Sequence, residues 1–201
     1  MFLQSPPPLL LASTSPYRRA LLTRLGLPFE CVAPGVDETP ASGERAAALV
    51  TRLARAKAHA VARDRPQAWV IGSDQAAVLG SEAEERILGK PGSAERCRAQ
   101  LAACSGRAVR FLTAVSLTCE SQRKQLEFLD VTTVRYRTLD ADSIARYVER
   151  DRPEDCAGGV RSEALGIALC EAIESTDPTA LVGLPLIRLS ELLRQAGFAV
   201  P

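Results

Sequence analysis

Apolar residues along the chain come in two rhythms, short unbroken runs and helical stripes, and their alternation predicts interleaved strands and helices. Leu9 to Ala12 is an apolar run of strand length. Ser15 and Pro16 then supply a hydroxyl N-cap and a proline at the first helical position, and Gly26 supplies the stop. "FECVA" (29–33) reads as a second strand, and "APGVDETP" as a turn-rich loop carrying Asp37 and Glu38. Ser42 is placed to cap a long helix to about Arg63, with Leu49, Leu53 and the alanines from Ala56 to Ala60 on its apolar side.

"AWVIGSDQAAVLG" is an apolar strand broken by polar Ser73, Asp74 and Gln75, and "GSEAEERILGKPGS" reads as a hairpin ending at Lys90 and Pro91. Ser93 to Ser105 predicts a helix stopped by Gly106. "RAVRFLTAVSLTCE" and "LEFLDVTTVRYR" suit long antiparallel strands, with Lys124 at the hairpin tip between them. A helix over about 141–150, a Gly-rich loop "CAGGVRSEALG", a strand through "IALCEAI", a loop "STDPTALVGLP" and a helix from Pro185 to about Ala196 complete the chain. Hairpins among the helices favour a mixed twisted sheet flanked by helices over a purely parallel one. Without repeats or linkers, residues 1–201 are expected to form one α/β domain, bent into two lobes around a central cleft.

Charge narrows the functions. With 25 basic and 24 acidic residues the net charge is +1, so no overall field draws the protein to nucleic acid or to an anionic membrane. Any anion must be bound locally. Six cysteines form no C-x-x-C pair, which reads as buried thiols in a reducing cytoplasm. The "SPPP" at 5–8 interrupts the N-terminal apolar run and a basic start is lacking, so no signal peptide is expected. His59 reads as a surface helix residue.

The candidate chemistry begins at "LLLASTSPYRRALLTRLG". A helix N-terminus offers unpaired N–H groups and partial positive charge, and Ser13 and Ser15 add hydroxyls, so the loop can cradle a phosphate. Arg18 and Arg19 stand at the end of the helix dipole that disfavours cations, an arrangement that a bound anion would compensate. Taken alone, the stretch is equally well explained as an ordinary capped amphipathic helix. Lys57 and Lys90 are two of three lysines in a chain that otherwise uses arginine, and they suit points where a compact ammonium meets a polyphosphate. Glu38 and Asp74 are hard oxygen ligands for Mg2+ or Mn2+. Asp74, inside an apolar strand, is costly to bury unless paired, and such a placement fits a general base.

Taken in order, "LASTSPYRRALL", "VDET" (36–39), the A-x-x-K of Ala54 to Lys57, "IGSDQ", "GKP" and "SEALGI" resemble the successive motifs of the Maf-like nucleotide pyrophosphatases. The resemblance implies a fold related to the inosine-triphosphate pyrophosphatases, a divalent cation, a homodimer, and hydrolysis of a nucleoside triphosphate to monophosphate and pyrophosphate. It makes Ser13, Arg18, Glu38, Lys57, Asp74 and Lys90 the triphosphate and metal site, with Asp74 activating water.

Tyr17 stands where thymidine- and uridine-selective members of that family have arginine and the branch similar to 7-methyl-GTP pyrophosphatases has tryptophan. An aromatic face attracts the cationic N7-methylated guanine, and Glu163 can accept from guanine N1–H and its exocyclic amine. Gln75 is the other position tied to specificity by the resemblance. These residues favour 7-methyl-GTP. A broader or dTTP/UTP-selective house-cleaning enzyme, or a nucleotide-binding regulator of septum formation without turnover, are the alternatives open at this point. Gly166 is read either as a backbone bend near the ligand or as a plain turn glycine.

Overall fold

The computed structural model describes residues 7–81 and 84–201. The first half of the "SPPP" stretch, and Glu82 and Ala83 in the predicted hairpin, lie outside the described residues. The chain forms an α/β fold around one mixed sheet of seven strands, flanked by five α-helices among the described residues. The strands are β1 (Leu9–Ala12), β2 (Glu30–Val32), β3 (Trp69–Leu79), β4 (Arg86–Leu88), β5 (Ala108–Cys119), β6 (Lys124–Tyr136) and β7 (Cys170–Glu174). The helices are α1 (Pro16–Thr23), α2 (Ala46–Ala62), α3 (Ala94–Cys104), α4 (Ala141–Asp151) and α5 (Leu186–Gln195).

The strand order is β2-β1-β3-β5-β6-β7, with β4 added beside β3. β2, β1 and β3 are mutually parallel, and the β3/β4, β3/β5, β5/β6 and β6/β7 pairs are antiparallel. On one side β3 pairs with β5 from Val70 to Leu79. On its other side β1 pairs only with Trp69 to Ile71, and β4 only with Ala77 to Leu79. Between those two stretches, Gly72 to Ala76 have no strand partner on that edge among the described residues. The gap coincides with the polar residues Ser73, Asp74 and Gln75, and it opens at the carboxyl end of β1, where open α/β sheets place their ligands.

Successive side chains of β3 alternate between the two faces of the sheet. Val70, Ala76 and Val78 pack under α2, whereas Trp69 and Ile71 join α1 and α5, and Ala77 and Leu79 join α3 and α4. The α2 stripe of Val50, Leu53, Ala54, Ala58 and Val61 is buried against the sheet. Val50, Leu53 and Val61 each contribute about 1.5–3 kcal/mol of transfer free energy, which holds α2 down, while Ala54 and Ala58 let it sit close to the sheet.

Three expectations are corrected. Ser42 does not cap α2, whose N-cap is Arg45 with no side-chain cap bond. Instead Glu85, distant in sequence beside β4, accepts from the Ala46 N–H at 2.7 Å. The strand predicted through "IALCEAI" is confined to 170–174, after a 3-10 turn over Leu165–Leu169. Pairing with β6 is broken there by a register shift at Arg135/Tyr136. The expectation of uniformly buried cysteines holds for Cys97, Cys104 and Cys119, but Cys156 and Cys170 are half-buried and Cys31 is exposed on the outermost strand, β2.

Candidate active site

At the centre of the gap, Asp74 points from β3 toward α2, where Lys57 occupies the same stripe as Leu49 and Leu53, spaced four residues apart. Lys57 Nζ donates to Asp74 Oδ1 at 2.6 Å and pairs with Glu38 Oε1 at 2.6 Å. Lys57 and Asp74 are both buried, while Glu38 is half exposed on the loop after β2. Gly72 makes the close approach possible. A Cβ there would collide with the Ala54 carbonyl oxygen and lie 2.6 Å from the Ala58 nitrogen, so any side chain would push α2 off β3. A buried carboxylate costs several kcal/mol unless paired, and the ammonium opposite it supplies the pairing.

The second cation comes from α1. Ser15 caps this helix, its Oγ accepting from the Arg18 N–H at 3.3 Å, and Ser13 Oγ accepts from the Ser15 N–H at 3.1 Å. Both hydroxyls therefore keep an O–H to donate. Arg18 is anchored through Nε, which donates to the Gly183 carbonyl at 3.0 Å, leaving its Nη groups for an anion. Burial lowers the proton affinity of this guanidinium, and the charges of Asp74 and Glu38 partly restore it. Gly183 sits at φ 115°, a backbone angle that glycine tolerates, and its carbonyl also accepts from Ser73 Oγ at 3.1 Å. Burial raises the affinity of Glu38 for a proton, but the bond from Lys57 and the charges of Lys57, Lys90 and Arg18 outweigh it, so its pKa falls below the ordinary value.

Ser13, Ser15, Tyr17, Arg18, Glu38, Lys57, Asp74, Gln75, Lys90 and Glu163 all line one cleft of about 790 Å3. Arg19 does not. It is exposed and outside the cleft, the helical turn of about 100° per residue carrying it past Tyr17 and Arg18 to the solvent side of α1. Gln75 borders the cleft, but its amide donates to Thr113 Oγ1, Ala180 O and Leu181 O at 2.9, 3.0 and 3.2 Å. Strand alternation turns it to the sheet face opposite Asp74, where it ties the loop carrying Gly183 to the strand.

At the other end of the cleft Tyr17 Oη donates to Asp155 Oδ2 at 3.4 Å, and burial with the neighbouring Cys156 and Asp155 raises its phenol to about 12. Arg161 lies over its ring and beside Glu163. Gly166 brings the loop back onto itself, since a Cβ there would lie 2.5 Å from the Arg161 carbonyl oxygen. Ser73, Gly183 and Arg161 are site-forming residues that sequence reasoning missed. The available signals were the glycine of "VGLP" and the cation immediately before "SEALG". His59 faces Glu120 and Gln125 at the β5/β6 hairpin, away from the cleft.

No group of three or more metal-type side chains occurs among the described residues. Two carboxylates, Glu38 and Asp74, sharing one ammonium at 2.6 Å each, nevertheless match a cation that takes one or two protein carboxylates and completes its shell with substrate phosphates. The donor set fits Mg2+ or Mn2+ held jointly with a polyphosphate.

The sequence model of the Maf-like protein family matches residues 8–196. A 7-methyl-GTP pyrophosphatase of Xanthomonas axonopodis pv. citri is 55% identical over 195 residues, covering 97% of this chain and 100% of the relative. Proteins of the same description from Nitrosococcus oceani and Alkalilimnicola ehrlichii are 50% and 52% identical, covering 98% and 96% of this chain and 96% and 94% of their own lengths.

Proposed function

Because the chain belongs to the Maf-like family, we propose that its cleft hydrolyses a nucleoside triphosphate, 7-methyl-GTP foremost, to the monophosphate and pyrophosphate. The supporting observation is the convergence of Arg18, Lys57 and Lys90 with Glu38 and Asp74 on one hollow, at the unpaired stretch of β3. Among these five groups the cations outnumber the carboxylates by one, and a bound divalent cation would add the further positive charge that a triphosphate satisfies, while Asp155 and Glu163 lie beside Tyr17.

In this reading the α1 N-terminus, with Ser13 and Ser15, holds phosphate oxygens, and Arg18 clamps them through the Nη groups left free by its anchor on Gly183. Lys57 orients Asp74 through Oδ1, so that Oδ2 takes the proton of the attacking water. Lys57, Lys90 and Arg18 then offset the charge on the departing pyrophosphate. Glu38 and Asp74 would hold the divalent cation, which when bound polarises a phosphoryl oxygen and neutralises charge. Tyr17 offers a ring face and Glu163 a carboxylate to a base that N7-methylation makes cationic. Chemistry on a free nucleotide, with six unpaired cysteines, fits the reducing cytoplasm.

The test is pyrophosphate release from a panel of nucleotides, detected after a coupled inorganic pyrophosphatase, with and without chelator. The expected result is chelator-sensitive release, fastest from 7-methyl-GTP. Faster release from dTTP or UTP rejects the base assignment, and nucleotide binding without any release returns the protein to the class of regulators.

A further inference from the structure

Tyr17 and Glu163, which line the base end of the cleft, already share a cation from behind that lining. Arg161 Cζ stands 5.5 Å over the centroid of Tyr17, within cation–π range. Its Nε lies 3.6 Å from Glu163 Oε1, while Nη1 donates to the Asp151 carbonyl at 3.1 Å and lies 3.8 Å from Asp151 Oδ1. Neither ion pair closes to hydrogen-bond distance. Arg161 Nε and Asp151 Oδ2 are both buried without a hydrogen-bond partner. The guanidinium is thus divided between Asp151, at the end of α4, and the Tyr17–Glu163 pair in the cleft.

Tyr17 and Glu163 are the two groups through which a cationic base gains over a neutral one. We propose that Arg161 determines the preference between N7-methylated and unmethylated guanine nucleotides, by competing as a resident cation for the Tyr17 ring and the Glu163 carboxylate. This inference rests on the assignment of the base end made above. If Arg161 stays in place, it repels a cationic base and leaves a neutral one unaffected. If it withdraws onto Asp151, the cost of withdrawal is common to both bases, but the remaining repulsion still falls only on the charged one. In either case Arg161 holds the preference for the methylated base below the value that Tyr17 and Glu163 would give alone.

The experiment measures kcat/KM for 7-methyl-GTP and for GTP in the wild type, Arg161→Gln, Arg161→Lys and Asp151→Asn. The ratio of the two substrates on one preparation does not depend on how much of the variant is folded. Arg161→Gln raises the ratio roughly tenfold, between the worth of an exposed and of a desolvated cation–π contact, and does so through KM with little change in kcat. Arg161→Lys keeps the wild-type ratio, because the charge is retained. Asp151→Asn lowers it, because the pull away from the ring is weakened. An unchanged or smaller ratio in Arg161→Gln, or a lysine variant that behaves like the glutamine one, overturns the proposal. Should Arg161→Gln yield no active protein, Asp151→Asn decides, and an unchanged ratio there overturns it. A wild type that prefers dTTP or UTP to both guanine nucleotides removes the base assignment itself, and is recognised before any variant is compared.

Discussion

Lys57 Nζ and Asp74 Oδ1 lie 2.6 Å apart, both on buried side chains, bridging α2 and β3 where Gly72 lets helix backbone and strand backbone nearly touch. Stability and chemistry meet in this pair. The ammonium that makes a buried carboxylate tolerable is also the group that aims it.

Asp74→Asn separates the two roles. The amide oxygen still accepts from Lys57, so the fold and nucleotide binding persist, but the proton acceptor is gone and kcat falls by about 100-fold or more. Steady-state pyrophosphate release alongside calorimetric nucleotide binding checks this, and a variant with wild-type turnover removes Asp74 from its role.

Lys57→Met keeps most of the packing and deletes the charge, which leaves Asp74 buried beside no direct partner. We expect a loss of about 3 kcal/mol in unfolding free energy. Urea denaturation measures it; a midpoint equal to that of the wild type would show that the pair adds nothing to the fold.

Gly72→Ala is expected to cost about 3 kcal/mol and to abolish activity, since the new methyl collides with the Ala54 carbonyl and α2 must lift, carrying Lys57 away from Asp74. Thermal melting and turnover of the same sample test whether the two losses occur together.

Gln75→Glu distinguishes a strut from a base contact. Replacing the amide with a carboxylate sets negative oxygen against the Ala180 and Leu181 carbonyls, so stability drops by about 2 kcal/mol while the order of nucleotide preference is kept. A reordered substrate panel in a protein of unchanged stability would restore Gln75 as a reader of the base.

The cysteines make a prediction about alkaline pH. Burial pushes the thiols of Cys97 and Cys104 from 9.0 to about 12 and about 11, so the folded protein keeps protons that the unfolded chain releases. Their stabilising contribution is complete below pH 9 and is lost as pH rises through the folded values. Chemical denaturation between pH 8 and 10.5 should show stability falling with pH over the upper part of that range. A disulfide reagent at pH 8 should label exposed Cys31 first and reach Cys97 and Cys104 only after unfolding.

The sequence by itself determined the elements and the kind of chemistry. Ser15–Pro16 opened α1, Ser93 capped α3, and the long alternating runs became β5 and β6, because caps and periodicity are local properties of the chain. The ordered motifs also carried Ser13, Arg18, Glu38, Lys57, Asp74 and Lys90 to one cleft. What lay beyond local reading was which groups already had partners. The cap of α2 comes from Glu85, the anchor of Arg18 from Gly183, the partners of the Gln75 amide from Thr113 and the 180–181 carbonyls, and the cation on Tyr17 from Arg161. These contacts join residues from 38 positions apart, for Gln75 and Thr113, to 165, for Arg18 and Gly183. Only the packing of helices and loops on the sheet brings such groups within hydrogen-bond reach, so side-chain direction and pairing were decided by the tertiary structure alone.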